Sequence, residues 1–135
     1  MTKIGNNDAK DWTILVVDDA YHSARMVKQA LSFYGAKVEV VSSGQEALKM
    51  MLWYKPTMVL VDLQMPDLNG YEVKDIIKKI FPSAPFPIIA HTATVTESEA
   101  PSLIKQGFDG YLLKPIDVDG IVRALQQILD RKRFA

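Results

Sequence analysis

The sequence predicts an α/β protein, a doubly wound (βα)5 unit with a five-stranded parallel sheet. Three observations lead there. Five short apolar runs alternate strictly with five amphipathic stretches, the pattern of parallel strands joined by right-handed helical crossovers. The runs ending at Val17 and Val61 are continuously apolar, as strands buried on both faces are. The run Lys37 to Val41 instead alternates polar and apolar residues, which puts it at a sheet edge and is compatible with strand order 2-1-3-4-5.

The 135 residues suffice for one domain with its own core and leave no room for a second. Lys plus Arg and Asp plus Glu both number 16, so nothing global steers the chain toward a nucleic acid or an anionic membrane. Cysteine is absent, which excludes a disulfide framework and thiol chemistry. The first ten residues are polar, unlike a signal peptide, and no run is long enough to span a membrane. A cytoplasmic protein is expected, with a flexible leader over 1–11, the folded unit over 12–131 and a tail over 132–135.

Taken in order, WTILVV at Trp12 to Val17 is the first strand, and it runs into Asp18 and Asp19. Ala24, Val27, Leu31 and Tyr34 then recur at helical spacing from about Tyr21, until Gly35 stops the helix. After the edge strand, Ser43 with Glu46 forms a capping-box pattern. Ala47, Leu48, Met51 and Leu52 make the buried stripe of a helix reaching about Tyr54. Met58 to Val61 is the third strand, closed by Asp62 and followed by a loop with Pro66, Asn69 and Gly70. In the next helix, Tyr71 to Ile80, Val73, Ile76, Ile77 and Ile80 face inward and Lys74, Lys78 and Lys79 outward.

Ile88 to Ala90 is the fourth strand, with His91, Thr92 and Ala93 after it. Thr96 and Glu99 repeat the capping-box pattern, but Pro101 opposes helix continuation, so this helix is short, late or kinked. Gly110 to Leu113 is the fifth strand, ending at Lys114 and Pro115. Ile121, Leu125, Ile128 and Leu129 mark a last helix capped by Asp117, with basic Arg131 to Arg133 complementing its negative end. The six methionines read most simply as core filler.

In an open parallel sheet, sites form beyond the carboxyl ends of the strands. Asp18, Asp19, Asp62, Thr92 and Lys114 all fall there. Taken alone, Asp62 could be a loop aspartate capping the next helix. Three clustered carboxylates, however, repel by on the order of 4 kcal/mol per pair at about 4 Å and an effective dielectric of 20. Lys114 offsets one charge, and an all-oxygen donor set without Cys or His suits Mg²⁺ for the remainder. A carboxylate held against such an ion, an ammonium and a hydroxyl is an acceptor for a phosphoryl group.

Four motifs, Val16-Val17-Asp18-Asp19, Leu60-Val61-Asp62-Leu63-Gln64-Met65-Pro66-Asp67-Leu68-Asn69-Gly70, Ile88-Ile89-Ala90-His91-Thr92-Ala93 and Gly110-Tyr111-Leu112-Leu113-Lys114-Pro115, stand in this order. Together they resemble the receiver domain of two-component response regulators, chemotaxis-regulator-like, over about Trp12 to Arg131. The resemblance implies a flavodoxin-like fold and a phosphoacceptor at Asp62, loaded from the phosphohistidine of a sensor kinase or histidine phosphotransfer protein. It implies Mg²⁺ bound directly by Asp19 and Asp62, through water by Asp18, and by the backbone carbonyl of Gln64. Lys114 would contact the phosphoryl group, Thr92 would be the switch hydroxyl and Tyr111 the aromatic that turns inward. Gln64 and Thr94 sit where the family tunes self-dephosphorylation.

Two positions depart from the family pattern. Pro101 interrupts the fourth helix, and His91 replaces an apolar residue. His91 reads as a tolerated strand-end histidine, with a pH-sensitive or partner-contacting role as the alternative. His22 reads as a solvated loop residue.

Three rivals remain. An aspartyl-phosphate hydrolase of the haloacid-dehalogenase type needs an acid where Gln64 stands. A flavin carrier needs a Gly/Ser/Thr-rich phosphate loop where Asp18 to Ser23 reads DDAYHS. A degenerate receiver would bind partners without phosphorylation, against the intact set of acids, hydroxyl and lysine. The expected output is protein binding, as a stand-alone regulator, a relay intermediate or the receiver of a hybrid kinase, monomeric or weakly dimeric on phosphorylation. No enzymatic turnover beyond phosphoryl uptake and loss is expected.

Overall fold

The computed structural model describes residues 8–134. Five strands, β1 (Thr13–Val17), β2 (Lys37–Val41), β3 (Met58–Val61), β4 (Ile88–Thr92) and β5 (Gly110–Leu113), alternate with five helices. These are α1 (Tyr21–Phe33), α2 (Gly44–Met50), α3 (Gly70–Ile80), α4 (Pro101–Lys105) and α5 (Ile121–Phe134). The strands form one parallel sheet in the order β2-β1-β3-β4-β5, as predicted, with the alternating β2 at an edge.

Side-chain alternation along the strands splits the core in two. Ile14, Val16, Leu60 and Ile89 pack against α1 and α5, whereas Leu15, Val17, Val59, Val61, Ile88 and Ala90 pack with residues of α2, α3 and α4. Because β1 and β3 are central, both of their faces are covered and every residue from Met58 to Val61 is buried. No helix among the described residues is long and apolar enough to cross a membrane.

Gly35 ends α1 as predicted. At φ 95° it lets its own amide reach the Ser32 carbonyl at 3.0 Å and the Ala36 amide reach that of Leu31 at 3.1 Å, which satisfies two orphan carbonyls. Pro101 occupies the first turn of α4, where no N–H is needed, and the helix has only five residues. Thr96 and Glu99 do bond reciprocally, at 3.1 and 3.3 Å, around the turn ahead of it. Lys114–Pro115 is a cis peptide.

Several expectations are corrected. α2 stops at Met50, because i→i−3 bonds from Leu52 and Trp53 tighten its end. Leu52, expected in the buried stripe, is 81% exposed. Lys74, expected on the outer face, is buried: its ammonium donates to the Gln106 carbonyl and lies 5.1 Å from the Phe108 ring centre. Ile80 is largely exposed instead. The fourth strand continues to Thr92, so His91 and Thr92 are ladder residues opposite Leu112 and Leu113.

Met51 and Met58 fill core positions, but Met26 does not. Asp117 bonds to the Asp119 amide at 3.2 Å, in a turn that precedes α5. Of the expected leader, residues 8–11 form a turn with Ala9 buried; residues 1–7 lie outside the described residues.

The basic end of α5 also does more than complement its negative pole. Lys132 reaches Asp109 Oδ1 at 3.2 Å, while Asp109 Oδ2 accepts from the Ile88 amide at 2.8 Å. One carboxylate thus joins the starts of β4 and β5 to the last turn of α5. Loss of that carboxylate strands a strand amide, costing about 1–3 kcal/mol, whereas a partly exposed ion pair contributes about 0–1 kcal/mol. Asp109→Ala is therefore expected to lower the urea-unfolding free energy by more than Lys132→Ala does, and equal losses would contradict this division.

Candidate phosphoacceptor site

The site is assembled by register. Backbone bonds Asp18 N to Val41 O, Asp62 N to Val17 O and Lys114 N to Thr92 O, at 2.8–3.0 Å, carry the ladder one residue past the strands. They fix where the polar side chains emerge. Asp18 and Asp62 are 2% and 8% exposed, and Asp19 lies at the rim. Lys114 Nζ lies 2.9 Å from Asp18 Oδ2 and 3.2 Å from Asp62 Oδ2. The remaining oxygens are held locally: Asp18 Oδ1 accepts from the Ala20 amide at 2.9 Å and Asp62 Oδ1 from the Gln64 amide at 3.2 Å.

Burial raises the Asp62 pKa and Asp18 adds to the rise, outweighing the Gln64 amide and Lys114, which lower it. For Lys114 burial favours the neutral amine, but Asp18 and Asp62 together outweigh it and raise its pKa. One ammonium faces three carboxylates, whose nearest oxygens all lie within 4.8 Å of one another. Oxygens bound about 2.1 Å from a common ion are at most about 4.2 Å apart, so the cluster needs only slight tightening to hold Mg²⁺. The oxygen-only donors suit that ion.

An open pocket of about 760 Å³ leads to Asp62 and Lys114, walled by Gln64, Met65, Pro66, Tyr71 and Thr94. Two residues shape its β3–α3 side. A Cβ on Gly70 would lie 2.4 Å from the Asp62 carbonyl oxygen, so only glycine lets α3 start this close to the acid. Asp67 accepts from the Gly44 and Gln45 amides at 3.1 and 2.9 Å, pinning the loop to the amino end of α2 beside its Ser43 cap. Asn69 and Glu72 add a reciprocal capping box to α3. The Asn-x-x-Glu spacing signals that box, whereas nothing in the sequence signals the Asp67 clamp.

The predicted residues separate into two groups. Asp18, Asp19, Asp62 and Lys114 meet, with Gln64 and Thr94 exposed at the pocket. Thr92 is completely buried, and its hydroxyl bonds to Thr94 Oγ1 at 2.9 Å and accepts from the Thr94 amide at 3.1 Å. Tyr111 is half-buried against the core on the α3 and α4 side. His22 is exposed in the first turn of α1 rather than in a loop.

With this geometry in place, comparison with known proteins identifies the class. Residues 14–126 match the model of the response regulator receiver domain, and the chain belongs to that family. A protein of Leptolyngbya boryana, described as an uncharacterized 14.6 kDa protein in the sodA1 3′ region, is 32% identical. The match covers 84% of this chain and 87% of that protein. "Probable histidine kinase 4" of Oryza sativa subsp. japonica is 33% identical over 86% of this chain, which spans only 14% of that kinase. The crystal structure of a CheY-like response regulator receiver domain protein from Methanospirillum hungatei superposes with a TM-score of 0.77. It is 26% identical, with 90% of this chain and 95% of that one covered.

His91 is the unusual group beside this site. It is 1% exposed, and neither ring nitrogen has a hydrogen-bond partner among the described residues. Burial first, then Lys114, lowers its pKa from 6.5 to about 4, against an opposing pull from Asp18. The unfolded chain protonates this ring below about pH 6.5 while the folded one does not, so stability falls as pH drops from there toward 4. Between pH 7 and 5 this one group accounts for a loss of about 2 kcal/mol. Urea unfolding across that range is expected to show a shallower fall for His91→Val than for the wild type, and parallel curves would contradict the assignment.

Proposed function

We propose that this chain is a phosphorylation-dependent signalling switch in which Asp62 takes a phosphoryl group from a histidine. The observation that carries the reading is the Lys114 ammonium held between Asp18 and Asp62 at the carboxyl ends of β1, β3 and β5. An Asp62 oxygen attacks phosphorus as the phosphohistidine N–P bond breaks. The bonding pair stays with the donor imidazole, and the product is an acyl phosphate. Such transfer needs in-line alignment and neutralisation of the equatorial oxygens more than covalent help.

Lys114 supplies one positive charge without moving far, and the Thr92 hydroxyl donates to a second oxygen. Asp18, Asp19, Asp62 and the Gln64 carbonyl would hold Mg²⁺, which would supply further charge neutralisation. Tyr111 turns inward once Thr92 moves, giving the second state of the switch. Gln64 and Thr94, at the pocket mouth, set how readily water reaches the acyl phosphate. Output is by binding a downstream protein in the cytoplasm, as a monomer or a weak phosphorylation-dependent dimer. The likeness to a segment of a rice histidine kinase favours a second reading, a receiver in a hybrid kinase or phosphorelay.

Incubation with acetyl phosphate and Mg²⁺ is expected to raise the intact mass by about 80 Da, one phosphoryl group. Asp62→Asn and excess EDTA should each abolish the gain. A gain that survives Asp62→Asn would place the acceptor elsewhere.

A further inference from the structure

We propose that Thr94 is a positioning residue that latches the Thr92 hydroxyl away from Asp62, so that breaking the Thr92–Thr94 pair gates the switch. The inference rests on the reading of Asp62 as phosphoacceptor. Thr92 ends β4 with its backbone fixed, paired with Leu113 and with its carbonyl accepting from the Lys114 amide at 2.8 Å. Only its side-chain torsion is free to change, and a β-branched residue changes it between discrete rotamers.

The present rotamer is held twice, by Thr94 Oγ1 at 2.9 Å and by the Thr94 amide at 3.1 Å. Among the described residues the hydroxyl bonds to neither Asp62 nor Lys114. Thr94, by contrast, is exposed and lines the pocket together with Asp62 and Lys114. Its own hydroxyl meets water as soon as Thr92 leaves.

Relative strengths make the latch reversible. A hydroxyl bound to an anionic phosphoryl oxygen is about twice as strong as either neutral bond that holds Thr92 to Thr94, so one such bond offsets both. Thr92 therefore stays with Thr94 while Asp62 is unmodified and leaves it when a phosphoryl group arrives. Thr94 thus sets the resting population of the switch, in addition to its place at the water-accessible mouth. Because the amide anchor belongs to the backbone, a side-chain substitution removes one of the two restraints and leaves the other.

The test is a titration of the intact protein with beryllofluoride, a phosphoryl mimic, at saturating Mg²⁺, read from the Thr92 methyl resonance and by calorimetry. Losing one neutral hydrogen bond from the resting state is expected to lower half-saturation for Thr94→Val by about threefold to tenfold. Thr94→Ser, which keeps the hydroxyl, should restore wild-type binding to within about twofold. In a Thr92→Val background the same Thr94→Val change should have no effect. Unchanged or weaker binding by Thr94→Val, or an effect that persists without the Thr92 hydroxyl, overturns the latch alone. A wild type that takes up no beryllofluoride overturns the acceptor reading and the latch with it.

Discussion

A single ammonium between two buried carboxylates is the interaction on which this molecule turns. Lys114 approaches Asp18 and Asp62 to 2.9 and 3.2 Å where both acids are almost wholly removed from water. Unpaired, either acid would carry a desolvation penalty of several kcal/mol. Paired, they still outnumber the lysine, and Asp19 adds a third negative charge at the rim. The pocket therefore remains short of positive charge, which makes it receptive to a cation. A site balanced by protein charges alone would lack that property.

The fold serves this arrangement by bringing strand ends together rather than by local sequence. Asp18, Asp62 and Lys114 are separated by dozens of residues, yet each lies one position past a parallel strand whose neighbours fix its height. The apolar interiors of β1 and β3 anchor the carboxylates from below. Gly70 admits α3 to within contact of the Asp62 backbone, and the Asp67 clamp ties the intervening loop to α2. Thr92, Thr94 and Tyr111 lie on the β4 and β5 side, where the neighbouring α4 has only five residues.

Much of this was legible because parallel strands leave two strong marks, continuous apolar runs and polar residues at their carboxyl ends. Asp18, Asp19, Asp62, Thr92 and Lys114 fall on one edge by strand order alone. What spacing could not reveal was how individual long or rotatable side chains resolve. Periodicity placed Lys74 outside, but its stem is buried and its ammonium finds the Gln106 carbonyl. Leu52 matched the helical stripe, but the helix ended before it. The partner of the Thr92 hydroxyl depends on a rotamer, and the isolation of His91 on what surrounds it in space. Neither is encoded in sequence spacing.

In the proposed switch, Lys114 and a divalent cation answer the same excess of carboxylate charge. The most direct measurement is the Mg²⁺ affinity of Lys114→Met beside that of the wild type, from the dependence of unfolding free energy on Mg²⁺. Lys114→Met is expected to be less stable in EDTA, to bind Mg²⁺ more tightly and to recover part of its stability as the ion is added. Mg²⁺ affinity that is unchanged or weaker in Lys114→Met would contradict it.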